Sequence, residues 1–288
     1  MNYVLILIDY LPDNLNVIVN SILSVDRDSK IYICSDKNPN MKEISYINNI
    51  DLKSSESEFF KELNIYKNTI FEKNNLWMNS ALRIFYLKEF LKNFKKEIVH
   101  FDNDVIIHQP YEMIDKSLIN KNKLNITPAS SKKLVFGYSI IYDFQPLNDI
   151  CHEINKFALN GKEANWEFNN TKPFNEMQFL GNIHSQKNNL INLLPTLPYD
   201  SKLVFDPSNY GQYFDGTHTH QRKKFRKKKL YNIHEDIDRE IRVKRIKPKF
   251  RNGKPVIVWE NETYDLINLH LHSKRFSNFL PLNYKNFI

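Results

Sequence analysis

Residues 75–107 set the tightest limit on how this chain folds. Trp77, Ala81, Ile84, Leu87, Leu91 and Phe94 recur at spacings of three and four, which places them along one face of a long helix over about 75–94. The apolar run Ile98-Val99-His100-Phe101 follows, stops at Asp102-Asn103-Asp104, and resumes as Val105-Ile106-Ile107. The same rhythm appears earlier. Residues 3–9 read as a strand and 13–23 as a helix; 31–34 read as a second strand ending at Ser35-Asp36. Alternating strands and helices predict an α/β fold with a mainly parallel mixed sheet flanked by helices, and ligands gather at the carboxyl ends of such strands. Asp36 and the Asp102/Asp104 pair both fall at those ends.

Downstream, residues 134–143 read as a strand and 146–159 as a helix. Pro173-Phe174-Asn175-Glu176 opens a helix through about 184, where Asn175 suits an N-cap. The stretch Phe205-Asp206-Pro207-Ser208-Asn209-Tyr210-Gly211-Gln212-Tyr213 reads equally as an acceptor-side loop or as a turn followed by packed aromatics. Residues 221–229 form a basic run. Three strands are expected over 240–247, 254–259 and 264–271, a small C-terminal antiparallel β extension. The division is a core over 1–215 and a basic loop with β extension over 216–288 that completes the site within one integrated domain.

Composition narrows the function. Hydrophobic residues make up 41% and aromatics 13%, enough for a sizeable core. Cys34 and Cys151 are the only cysteines, far apart and outside metal spacing, which fits a reducing compartment. The opening Tyr3-Val4-Leu5-Ile6-Leu7-Ile8 has no basic lead-in and reads as a buried strand, so a cytoplasmic protein is expected. The net charge of +8 favours an anionic partner. None of the six glycines falls in G-x-G-x-x-G or G-x-x-x-x-G-K-[ST], so a Rossmann dinucleotide site and a P-loop are both disfavoured. A diphosphate would be held by metal and side chains instead.

Side chains two apart on extended backbone point the same way, and two carboxylates so placed repel unless a cation lies between them. Asp102 and Asp104 therefore suit Mg²⁺ or Mn²⁺, hard ions that bridge to phosphates; an acidic turn between strands is the plain alternative. Near the far end, His270 and His272 share one side of an expected strand, with Lys274 and Arg275 after them. Imidazoles complete a metal site begun by carboxylates, and a lysine holds phosphate as a point charge.

The block Trp77-Met78-Asn79-Ser80-Ala81-Leu82-Arg83-Ile84-Phe85, then Ile98 to Val105 with its Asp-x-Asp, then Leu269-His270-Leu271-His272-Ser273-Lys274, resembles the core of GT-A fold glycosyltransferases. The resemblance implies a GT-A-like nucleotide-binding fold and sugar transfer from a nucleoside-diphosphate donor, by analogy a UDP-sugar, to a glycan, lipid-linked or other hydroxyl acceptor. It implies that Asp104, with Asp102 and one or both of His270 and His272, holds Mn²⁺ or Mg²⁺. Asp102 is alternatively a contact to the donor ribose or sugar, beside Asn103. Asp36 is implied at the base, Arg83 at the donor sugar or phosphates (a helix-surface salt bridge is the alternative), and Lys274 at the diphosphate. Glu176 is implied as acceptor contact or general base, with Asn175 beside it. The chain departs from the glycogenin-like branch. The late histidine lacks the following Gly and Lys-Pro-Trp, and Asn175-Glu176 replaces an Asp-Gln pair.

Two other functions compete. A non-catalytic protein would bind nucleic acid or an anionic membrane surface through residues 221–229. No nucleic-acid module accompanies that run, so contact with the inner face of a membrane is the expectation and nucleic acid is not. A haloacid-dehalogenase-type phosphatase also carries Asp-x-Asp after an apolar strand, but nearer its start and without Val105-Ile106.

Overall fold

The computed structural model describes residues 1–67, 75–160, 175–187, 189–215, 236–272 and 275–287. The basic run at 221–229 and Lys274 lie outside the described residues. The chain opens with β1 (Asn2–Leu7), α1 (Leu15–Val25), β2 (Lys30–Ser35) and β3 (Ser45–Asn48). Then come α2 (Ser55–Lys67), α3 (Asn75–Phe94), β4 (Ile98–Phe101), β5 (Val105–Ile107), β6 (Leu124–Ser130) and β7 (Lys133–Ile141). Next are α4 (Gln145–Asn160), α5 (Glu176–Gln186), β8 (Ile191–Leu193), β9 (Leu203–Val204) and α6 (Asn209–Asp215). The described part closes with α7 (Asp236–Val243), β10 (Lys247–Arg251), β11 (Lys254–Trp259), β12 (Glu262–Leu266) and β13 (Asn268–His270).

The main sheet runs β3-β2-β1-β4-β7-β6-β8, seven strands among the described residues. β1 pairs in parallel with β2 and β4, β2 with β3 and β6 with β8, while β7 is antiparallel to β4 and β6. The fold is thus α/β with a mainly parallel mixed sheet, as the alternation predicts. Strand side chains alternate between faces, and both faces are buried. From β1 onward, Val4, Ile6 and Ile8 enter one core with α3 and α4. Tyr3, Leu5 and Leu7 enter the other with α1 and the C-terminal strands.

The helix read over 75–94 has those bounds. Ala81, Ile84, Leu87 and Leu91 are buried, joined by Phe85 and Phe90, each fully buried large side chain contributing about 1.5–3 kcal/mol. Phe94, at the helix end, is exposed.

The C-terminal part departs from expectation. Residues 240–247 were expected as a strand, but α7 occupies 236–243, because Ile237 and Ile241, four apart, are its buried face. The strand begins only at Lys247. The single strand expected over 264–271 is two, broken at Ile267, whose carbonyl accepts the backbone N–H groups of His108 (2.8 Å) and Gln109 (3.2 Å). β10, β11 and β12 form an antiparallel sheet, extended by β9 in parallel with β12. The extension therefore borrows a strand from the part assigned to the core. β13 leaves this sheet and pairs antiparallel with β5, setting His270 opposite Val105. β3, α2, β6, β8, β9 and α6 were not anticipated. Among the described residues no helix is long and apolar enough to cross a membrane.

Candidate active site

β1 and β4 end side by side, and the chain turns at Asp102-Asn103-Asp104 before β5. The Asp102 carbonyl accepts the Val105 N–H at 3.1 Å, closing this turn. The two carboxylates consequently do not share one extended face. Each meets a different partner.

Asp104 meets the histidines. Its Oδ1 lies 3.0 Å from His270 Nε2, and the His270 and His272 rings are 4.7 Å apart, edge to face. One ligand atom from each of Asp104, His270 and His272 falls within 4.8 Å of the others. Backbone pairing makes this convergence firm, since the Leu271 N–H donates to the Asp104 carbonyl at 2.7 Å. Burial disfavours a charge on His270, but the Asp104 carboxylate and the buried Asp206 outweigh it and hold the pKa above the ordinary histidine value. Two imidazoles and a carboxylate are a donor set that suits a divalent transition ion such as Mn²⁺. Gly137 of β7 leaves room for the His270 ring and the Asp102 carboxylate. A Cβ there would sit 2.7 Å from His270 Cε1 and 3.1 Å from Asp102 Oδ2.

Asp102 meets Arg83. Their ion pair joins Asp102 Oδ1 to Nη1, and Arg83 Nη2 lies 3.3 Å from Glu176 Oε1. The Arg83 side chain is 13% exposed and its guanidinium lies over the Phe136 ring, 5.3 Å from the centroid. Arg83 is thus the partly buried centre of a three-residue charge cluster, its salt bridges reaching to Asp102 after β4 and Glu176 of α5. Burial pushes the Glu176 carboxyl above the usual range, while Arg83 pulls it back. Behind them, His100 Nδ1 donates to the Val4 carbonyl at 3.0 Å, and its Nε2 is 3.9 Å from Asp102 Oδ1. Burial, reinforced by Arg83, drives the His100 pKa well below normal, so this ring is neutral.

Both clusters open into one cavity of ≈ 710 Å³, walled also by Tyr10, Trp77, Asn79, Asn103 and Met177. Asp36 and Asn175 are not in its described lining. The Asp36 carboxylate accepts the Asp9 N–H at 2.8 Å and the Asn49 amide at 3.3 Å, which fixes the loop after β1. Asp9 there has φ 69. Asn175 is the N-cap of α5, its side chain accepting the Gln178 N–H at 2.9 Å. The structure therefore brings together Arg83, Asp102, Asn103, Asp104, Glu176, His270 and His272. Gly137, Tyr10 and His100 escaped the sequence reading. Gly137 had a signal, since a glycine inside an apolar strand marks a close approach.

Compared with solved structures, the chain is similar to apo mouse xyloside xylosyltransferase 1, at 7% identity over 68% of this chain and 86% of that one, with a TM-score of 0.44. It is also similar to the galactosyltransferase LgtC with donor and acceptor sugar analogues, at 11% identity, 76% and 80% coverage and a TM-score of 0.43. A third is the glycosyltransferase GlyE of Streptococcus pneumoniae TIGR4, at 14% identity, 76% and 50% coverage and a TM-score of 0.38. No protein-family model matches the chain, and no curated protein matches it by sequence. Superpositions this loose leave the site to be read from its own geometry.

Proposed function

We propose that this chain is a metal-dependent glycosyltransferase that moves a sugar from a nucleoside-diphosphate donor, a UDP-sugar by analogy, to a hydroxyl acceptor. One observation carries the reading: the Asp104, His270 and His272 ligand atoms converge within 4.8 Å, and the same cavity holds the Arg83–Glu176 pair. The cluster and the pair lie beside the carboxyl ends of the parallel strands β1 and β4, where α/β folds bind nucleotides, which supports reading them as a cation site and a catalytic pair. The sequence motifs that resemble GT-A enzymes supply the same residues.

Mn²⁺ or Mg²⁺, when bound, supplies Lewis-acid neutralisation of the charge that builds on a diphosphate leaving group. Asp104, His270 and His272 are the residues that would hold it. Arg83 does two things. It neutralises Asp102, and it favours the ionised form of Glu176. An ionised Glu176 in the cavity suits a contact to the acceptor hydroxyl, and as a general base it would take that proton. Lys274 would add a second cation at the diphosphate.

The test is thermal unfolding with UDP, GDP, CDP or ADP, each with and without Mn²⁺. A diphosphate at about a hundredfold over its Kd stabilises the fold by roughly 2.7 kcal/mol. One diphosphate should stabilise only with metal, and Asp104→Asn should remove the effect. If no diphosphate stabilises in either condition, the transferase reading falls and a non-catalytic binding protein takes its place.

A further inference from the structure

Asp206 does not line the cavity and is 1% exposed, yet it is tied to the ligand cluster. Its carboxylate accepts four backbone N–H groups. Oδ1 takes those of Ser208 at 2.8 Å and Tyr210 at 3.0 Å; Oδ2 takes those of Gly211 at 2.8 Å and His270 at 2.9 Å. The first three belong to the turn that opens α6, and a carboxylate there is ordinary capping. The fourth is not. It lies 64 residues away, on the peptide of a ligand-bearing histidine, where no cap needs to reach.

The same His270 peptide is held on its other side. A methyl at Gly211 would overlap the His270 carbonyl, so only glycine lets α6 seat there. The Asp206 peptide is fixed in turn by Asn268, which accepts the Asp206 N–H at 3.1 Å and donates to the Asp206 carbonyl at 3.0 Å. Between them Ser208 has φ 121, a conformation side chains avoid and that persists only where the surroundings over-determine it. A buried carboxylate and a required glycine both converge on the His270 peptide, with a strained residue in the turn between them.

We infer that Asp206 is the positioning residue of the cation site. It fixes the His270 backbone so that the imidazole meets Asp104 and His272. This rests on reading those three residues as a metal centre. The probes are Mn²⁺, titrated by electron paramagnetic resonance, and Co²⁺, whose visible bands report ligand geometry. Both are applied to the intact chain, with His270→Ala as reference. Asp206→Asn should weaken Mn²⁺ binding at least tenfold and alter the Co²⁺ bands, effects that loss of stability alone does not produce in the folded fraction. Where that variant fails to fold, Ser208→Gly in the same chain relieves the strained residue and restores a folded protein for the measurement. Gly211→Ala keeps the carboxylate, presses on the His270 carbonyl, and should weaken Mn²⁺ in the same sense. Unchanged Mn²⁺ affinity and unchanged Co²⁺ bands in any of these folded variants overturn the positioning role. Absence of Mn²⁺ and Co²⁺ binding in the wild-type chain instead overturns the metal-centre reading itself.

Discussion

Replacing Arg83 with methionine tests whether the charge cluster is a coupled unit. The change strands Glu176, whose side chain is 6% exposed, and frees Asp102, which at 22% exposed rehydrates more readily. Removing one partner of a buried ion pair costs about 3–5 kcal/mol, and partial rehydration of Asp102 puts this case at roughly 3 kcal/mol near neutral pH. The cost depends on pH in a definite direction. Burial already holds the Glu176 pKa above its ordinary 4.5, against the pull of Arg83, and losing Arg83 lifts it further. A carboxyl whose folded pKa is raised contributes stability that is complete below its unfolded value and is lost as pH rises through the folded one. The deficit of the Arg83→Met variant should therefore be small near the ordinary Glu176 pKa of 4.5 and grow toward neutrality. Urea unfolding of both proteins at about pH 5 and pH 7.5 measures it. Adding Glu176→Met should recover most of the loss, because a hydrophobic pair replaces a buried ion pair with little cost. A deficit below about 1 kcal/mol at neutral pH, or an equal deficit at both pH values, refutes the coupling.

Asn175→Ala should cost about 1 kcal/mol in stability as a lost N-cap, while Asn175→Ser restores stability and any activity together; activity that stays lost in the stable Ser variant would make Asn175 a substrate contact. His108 is buried with its pKa pushed down to about 3 by desolvation, from an ordinary 6.5. Its contribution is complete above pH 6.5 and is lost as pH falls toward 3, up to a ceiling of roughly 5 kcal/mol. His108→Phe should flatten acid unfolding in that window, and an unchanged acid limb in urea melts would discount His108 as its source.

The sheet and the long helix were legible because their signals are local. The period of Ala81, Ile84, Leu87 and Leu91 and the apolar runs at 3–9 and 98–101 depend on nothing distant. The cluster was legible by residue type but not by partnership. An Asp-x-Asp on extended backbone predicts two parallel carboxylates; the turn after Phe101 separates them, giving Asp104 to the histidines and Asp102 to Arg83. That division depends on where α3 and β13 dock, which no window of sequence contains. Asp206 was invisible for the same reason. Its local pattern, Asp-Pro-Ser, reads as a turn, and the hydrogen bond that sets it apart comes from His270. The strand expected at 240–247 failed because Ile237 and Ile241, which make that segment helical, were divided by the chosen boundary.

β13 has a consequence for how the protein is made. Asp104 leaves the ribosome long before His270 and His272 are synthesised, and β5 lacks its partner until that late strand arrives. A nascent chain can build β1 to β4 and the helices around them, since domains begin to fold from the N-terminal side during synthesis. It cannot assemble the Asp104, His270 and His272 cluster, because two of its members have not yet been made. On the proposed metal-centre reading, metal affinity would become folding free energy for the late strand alone. A chain released short of residue 268 would leave β5 without its β13 partner and Asp104 without the two histidines that meet it.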